Sequence, residues 1–159
     1  RVVDLGAAPG SWSAYAAGRV GPAGRVVAID LLEIAPSPGV RVIRGDFLDP
    51  RAVAAVRAAL EGGLADVVLC DLAPNLSGIA SADQARAAEL VEAAIDFCLG
   101  NLRPEGAFLV KVFQGEAFAT LLRRMRQTFE DVQTRKPAAS RGESRETYLL
   151  GRRRKPGAN

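Results

Sequence analysis

Histidine is absent from the 159-residue sequence. Any proton transfer near neutral pH must therefore fall to a lysine, carboxylate, tyrosine or thiol whose surroundings shift its titration. Cysteine is almost as scarce. Cys70 and Cys98 each sit inside an apolar run, VVLCDL and AIDFCLG, which suits buried thiols in a reducing compartment better than a disulfide or a metal site. No metal ligand set is expected. No stretch approaches the roughly 20 uninterrupted apolar residues of a membrane span, and no charged-then-apolar leader precedes the first strand. The expectation is a soluble, cytoplasmic protein without membrane contact. Repeats and low-complexity segments are missing too. A 48% hydrophobic content can build one sizeable core, so a single domain and a monomer are expected.

What is present is unevenly spread. Residues 1–120 carry 10 Lys/Arg against 14 Asp/Glu, whereas residues 121–159 carry 11 against 4. Arginines on a helix or in a tail often do no more than solvate a surface. The wider group of Arg123, Arg124, Arg126, Arg135, Lys136, Arg141 and Arg145 points instead to a polyanionic partner such as nucleic acid.

Hydrophobic periodicity alternates between strand and helix. VVDL (2–5), RVVAID (25–30), VRVIRG (40–45), ADVVLCDL (65–72) and GAFLVKVF (106–113) read as strands, several of them near-continuous apolar runs typical of a sheet buried on both faces. Helices are expected near 11–18, 51–61, 82–100 and 116–128, with Ser81 or Asp83 as N-cap of the third and Gly100 as its stop. DVQTRK and ETYLLGR close the pattern as strands. The helix between the second and third strands is short or missing. This order predicts a doubly wound α/β domain with an extra strand pair at one end, covering residues 1–151. Residues 152–159, RRRKPGAN, read as a basic disordered tail.

In open sheets of this kind, ligands bind outside the carboxyl ends of the strands. There the sequence places Asp4, Asp30, Asp46 and Asp71. The first strand runs directly into Gly6-Ala7-Ala8-Pro9-Gly10, a bend nearly free of side chains that ends at Trp12, the only tryptophan. Such a bend lets a ligand approach the backbone, and the helix after it offers free amides. Its spacing is not G-x-G-x-x-G, which argues against a dinucleotide. Asp30 suits the hydroxyls of an adenosine ribose. Asp46 beside Phe47 suits an adenine, the carboxylate accepting from the exocyclic amine while the apolar residue covers the ring. A nucleoside without phosphates, such as S-adenosylmethionine, fits these features.

Together the stretches VVDLGAAPGSW, GDF, DLAPNLSG, VKVFQGE and KPAASRGESRETYLL resemble the FtsJ-type 2′-O-ribose methyltransferases of large-subunit ribosomal RNA, over nearly the whole chain. The resemblance implies a Rossmann-like sheet, mostly parallel with one antiparallel C-terminal strand. It also implies S-adenosylmethionine as cofactor, with Gly10, Trp12, Asp30, Asp46 and Asp71 at cofactor-contacting positions and Gly6, Ala7, Pro9 and Phe47 around them. The family's K-D-K-E tetrad maps onto Asp71, Lys111 and Glu146. Its first lysine belongs upstream of the first strand, before Arg1. Ser11 stands where the family commonly has a second glycine, and a serine there can cap the following helix. The substrate implied is a uridine of large-subunit ribosomal RNA. A ribose hydroxyl is a poor nucleophile until its proton is drawn away. Lys111, on a buried strand, is the amine placed to do this. Neutral, it takes the proton; charged, it orients the hydroxyl and stabilises the developing oxyanion. Transfer RNA or a messenger RNA cap as acceptor, or a cofactor-binding scaffold without turnover, are the rival readings.

Overall fold

The structure is a computed structural model that describes residues 1–72, 78–136 and 145–158. β1 (Val2–Leu5) is buried along its whole length, because it lies between β2 (Val26–Asp30) and β4 (Ala65–Cys70), parallel to both. β3 (Val40–Arg44) pairs with β2 at one edge, and no helix separates the two. Beyond β4 come β5 (Leu102–Phe113), β7 (Glu146–Arg154) and β6 (Phe129–Arg135), giving the order β3-β2-β1-β4-β5-β7-β6. β7 runs antiparallel to both its neighbours. The sheet is thus mostly parallel with one antiparallel C-terminal strand, as expected.

Side chains alternate between two faces. On one face Val3, Leu5, Val27, Ile29, Val68, Cys70, Phe108 and Val110 form the main core. It is roofed by α2 (Pro50–Ala59), α3 (Ala80–Asn101) and α4 (Phe118–Thr128) through Val56, Ile95, Cys98, Leu121 and Met125. On the other, α1 (Ser11–Val20) covers β1 and β2 through Ala16, against Val2 and Val26. Both cysteines are free and buried, as their apolar settings implied.

Three local expectations change. Ser11 is the first residue of α1 and caps nothing; Gly10 holds the N-cap position with no side-chain bond. Ser81 and Asp83 lie inside the first turn of α3, whose N-cap is Ile79, and Asp83 accepts from the Gly78 amide at 3.2 Å. Residues 152–154 are strand and not tail. Arg152 pairs with Asp131 and Arg154 with Phe129, and the Lys155 amide donates to the Thr128 carbonyl at 2.8 Å. A run of arginines reads as solvated when its backbone partner lies some 20 residues upstream, because the ladder bonds that hold it leave no mark on composition.

Strand order reverses between β1 and β4. The loops that follow these two strands, carrying Gly6–Gly10 and Asp71, flank the crevice where such folds hold ligands.

Candidate functional site

The glycine loop is fixed first by the chain itself. The Gly6 and Ala7 amides both donate to the Ile29 carbonyl, at 2.9 and 3.2 Å, and the Ala8 amide donates to Asp30 Oδ2 at 2.9 Å. Gly6 and Gly10 have φ of +70° and +114°, where a side chain is strained. A Cβ on Gly6 would also stand 2.1 Å from the Leu72 side chain, and one on Gly10 would stand 3.0 Å from Ile34. The bareness of the loop therefore serves its packing on Leu72 and Ile34 as much as any ligand. Pro9 is exposed, and its carbonyl accepts from the Ala35 amide at 3.2 Å.

Beside the loop lies a cleft of about 600 Å³, lined among others by Gly6, Ala8, Asp30, Asp46, Phe47 and Asp71. Asp30 is doubly committed: besides Ala8, it accepts from the Leu32 amide at 2.8 Å through Oδ1. Each carboxylate oxygen still has a lone pair to offer a hydroxyl. Asp46 accepts from the Leu48 amide at 2.9 Å. Phe47 turns inward and belongs to the main core, so it forms the floor of the cleft more than a cover for a ring. Sequence reasoning missed the better covers. Leu31, Leu32 and Leu48 line the same cleft and are 63%, 65% and 54% exposed, a cost in apolar surface that a planar ring laid against them would relieve. Arg86 and Glu89 of α3 close the outer side.

At the inner end, Asp71 meets Lys111. The ammonium lies 3.0 Å from Asp71 Oδ1 and 5.8 Å from the centre of the Phe113 ring, and the lysine side chain is only 10% exposed. A nearly buried lysine held by one carboxylate and one ring face is a positioned group, not a solvated surface charge. Across the β5–β7 ladder, Lys111 stands opposite Tyr148 and Phe113 opposite Glu146. Side chains two apart on a strand share a face, so Glu146 and Tyr148 share the face that carries Lys111. Tyr148 carries no signal in the sequence. Its ring packs 5.8 Å from that of Trp12 and so ties α1 of the cofactor side to β7 of the lysine side. Burial pushes its phenol up, and the Asp71 and Glu146 carboxylates push it the same way; it remains a neutral donor at physiological pH.

The sequence-derived residues thus fall into two groups that meet at Asp71. Gly6, Asp30, Asp46 and Phe47 line the cleft, whereas Ala7, Pro9 and Gly10 belong to the loop beside it and do not line it; Asp71 and Lys111 touch at its end, with Glu146 on the neighbouring strand and Trp12 bridging. A family model described as FtsJ-like methyltransferase matches residues 1–154. The chain belongs to that family.

Among curated relatives of this FtsJ-like chain, Ribosomal RNA large subunit methyltransferase E of Thiobacillus denitrificans is 53% identical over 152 residues, covering 96% of this chain and 69% of the relative. Among solved structures, a Plasmodium falciparum chain described as a ribosomal RNA methyltransferase superposes with a TM-score of 0.84 at 24% identity, covering 96% of this chain and 85% of that one. SMU.1697c from Streptococcus mutans, in complex with SAH, superposes at 0.55 and 14% identity, covering 96% and 86%. Both are likenesses of fold.

The basic group expected to meet a polyanion is divided by the FtsJ-like fold. Arg135, Lys136 and Arg145 stand at the carboxyl rim, Arg135 directly opposite Tyr148 in the ladder. Arg124 is spent on Asp96 at 2.9 Å. Arg126, near the far end of the sheet, lends its carbonyl to the Lys155 ammonium at 2.7 Å. Arg141 lies outside the described residues, as does the APNLS stretch that follows Leu72.

Proposed function

We propose that this chain is the catalytic part of an S-adenosylmethionine-dependent methyltransferase that modifies the 2′-hydroxyl of a ribose in large-subunit ribosomal RNA, at a uridine. The observation that carries the reading is the Lys111–Asp71 pair, 3.0 Å apart at the inner end of the cleft. The same carboxylate lies against the cofactor cleft on one side and the acceptor lysine on the other.

The cleft suits the cofactor in its donor set. Asp30 has lone pairs for a pair of ribose hydroxyls, Asp46 has one for an exocyclic amine, and the exposed Leu31 and Leu48 offer apolar cover. S-adenosylmethionine bound there supplies a methyl group already activated by its sulfonium. The chain's own residues do the rest. Asp71 fixes the Lys111 amine, and Lys111 would hold or take the proton of the attacking hydroxyl. Tyr148 and Trp12 form an aromatic wall beside it, on which a sugar or base can rest. Arg135, Lys136 and Arg145 at the rim attract the phosphate backbone leading to the target. The relatives' names support ribosomal RNA as substrate.

Transfer of labelled methyl groups to ribosomal RNA, mapped to the nucleotide, tests the proposal. The expected result is a ribose 2′-O-methyl mark that vanishes when the target carries 2′-deoxyribose. Methylation of the deoxy substrate at a base would overturn the ribose assignment.

A further inference from the structure

Asp4 has no part in the chemistry above, yet it occupies an odd position. It is 0% exposed, in the middle of the sheet, registered between Ala28 of β2 and Leu69 of β4. Ser13 of α1, itself buried, donates to Asp4 Oδ2 at 2.5 Å. Asp4 precedes the glycine loop and Ser13 follows it, so this one hydrogen bond closes the base of the segment that carries Gly6–Trp12. The other oxygen, Oδ1, is buried with no hydrogen-bond donor among the described residues.

A clip between strand and helix needs no ionisable group; an asparagine would accept from Ser13 equally well and satisfy its own amide in a polar setting. What a carboxyl adds is the ability to become charged. Burial pushes Asp4 up to about 6, the Ser13 hydrogen bond works against that rise, and the Asp71 and Asp30 carboxylates add to it. The groups around it are nearly all acidic or neutral. β2 brings Asp30, and the end of β4 brings Asp71 and the neutral Cys70 thiol, itself pushed up to about 12 by burial. β5 brings Lys111, whose ammonium is engaged by Asp71. α1 brings no charged group at this end: its first turn carries Ser11, Trp12 and Ser13, and its one charged side chain is Arg19 in the last turn. A buried acid at the base of the ligand loop, with the Asp30 and Asp71 carboxylates near it and no donor to one oxygen among the described residues, would be held in its charged form by an approaching cation.

We propose that Asp4 is a positioning residue for the cofactor: it gives up its proton when the positively charged methionine end of S-adenosylmethionine settles on the Gly6–Trp12 loop, and the carboxylate so formed holds that end in place. Only an O–H bond is broken, and the proton passes to solvent. This rests on the cofactor reading given above. Cofactor affinity then depends on pH through a group that touches neither the transferred methyl nor the acceptor. The rest of the rim contributes too, since the Asp30 and Asp71 side chains also favour a cation.

Isothermal titration of the protein with S-adenosylmethionine between about pH 5.5 and 8.5, in buffers of different ionisation enthalpy, reads the proton directly. Near pH 6 roughly half a proton should be released per cofactor bound, falling towards none above about pH 8, with affinity rising up to about tenfold per pH unit below 6. Asp4→Asn should abolish the release and flatten the affinity profile. Ser13→Ala, which removes the one bond favouring the charged form, should move the transition to higher pH. Binding in the unaltered protein without proton release near pH 6 would overturn the proposal while leaving the cofactor reading intact, and so would release that survives Asp4→Asn. Absence of binding at every pH would overturn both. The measurement on the unaltered protein decides the matter even if the variants fold poorly.

Discussion

Asp4 and Asp66 stand on neighbouring strands of one sheet, toward opposite ends, and their surroundings could hardly differ more. Asp66, at the amino end of β4, faces a cation, the Arg103 guanidinium at 2.6 Å. Its partial burial works to raise its pKa, but the cations around it, the Arg103 and Arg1 side chains among them, outweigh that and hold the carboxyl below its usual range. Asp4, toward the carboxyl end of β1, has one hydroxyl and further carboxylates, and is pushed up to about 6. One end of the sheet has settled its charges within the chain. The other has left them for something else to settle, which is the usual mark of a ligand site and is here supported by the cleft beside it. Substitutions at the carboxyl end should therefore damage function more than folding, and those at the amino end should show only in stability.

The sharpest test is Lys111→Ala. Removing the amine that orients or deprotonates the acceptor should lower the rate of methyl transfer by about 10²–10⁴-fold, with cofactor affinity measured by calorimetry little changed. An unaltered rate in a single-turnover assay would refute the assignment of Lys111.

Asp4→Asn comes next, read in the protein without cofactor. The folded state keeps the Asp4 proton up to about pH 6, whereas an ordinary aspartate loses it near 3.8. The protonated carboxyl therefore adds stability that is fully present below 3.8 and is lost as pH rises through 6. A difference of this size corresponds to about 3 kcal/mol. Chemical denaturation at pH 4 and pH 7 should show the Asn variant gaining stability on the unaltered protein by up to that amount at the higher pH. Equal differences at both pH values would mean that Asp4 does not titrate in this range.

The two aspartates also differ in how far the sequence announces them, and so do the elements around them. β1, β2 and β4 are legible as near-continuous apolar runs because both their faces are buried, and the missing helix between β2 and β3 shows as missing periodicity. Asp30, Asp46 and Asp71 are legible because strand ends in an open α/β sheet all point to one rim. Tyr148 is not, because its importance comes from pairing with Lys111 across 37 residues of chain and packing on Trp12, and neither relation leaves a local pattern. Leu31 and Leu48 are hidden for a different reason: exposed leucines in loops belong to no period. Phe47 reads as a cover and lies in the floor of the cleft, because an aromatic beside an acid says nothing about which way the ring turns. The burial of Asp4 likewise depends on Ser13 and on two neighbouring strands, not on anything within VVDL.

Asp30 tests the cofactor half alone. Its carboxylate both fixes Ala8 and Leu32 and is free to accept ribose hydroxyls. Asp30→Asn keeps one acceptor oxygen but loses the charge, and should weaken S-adenosylmethionine binding by about 10- to 100-fold, the range of one or two hydrogen bonds to a charged group. Thermal stability should fall only slightly. A change confined to stability would mean that Asp30 serves the loop and not the ligand.

The smallest effect should come from Asp66→Asn at the amino end of the sheet. Asp66 and Arg103 are 34% and 49% exposed, so water and salt screen the pair even at 2.6 Å. The loss should stay under about 1 kcal/mol and shrink further in molar salt. Its pH dependence runs opposite to that of Asp4: a depressed carboxyl adds stability above its ordinary value of 3.8, which disappears as pH falls through its lower folded value. Denaturation at pH 7 and at successively lower pH should therefore show the variant weaker at pH 7 and converging on the unaltered protein as pH falls below 3.8, with cofactor binding untouched throughout. A fall in cofactor affinity in this variant would mean that the two ends of the sheet are coupled, and that the acidic character of the carboxyl end is not a local property of the site.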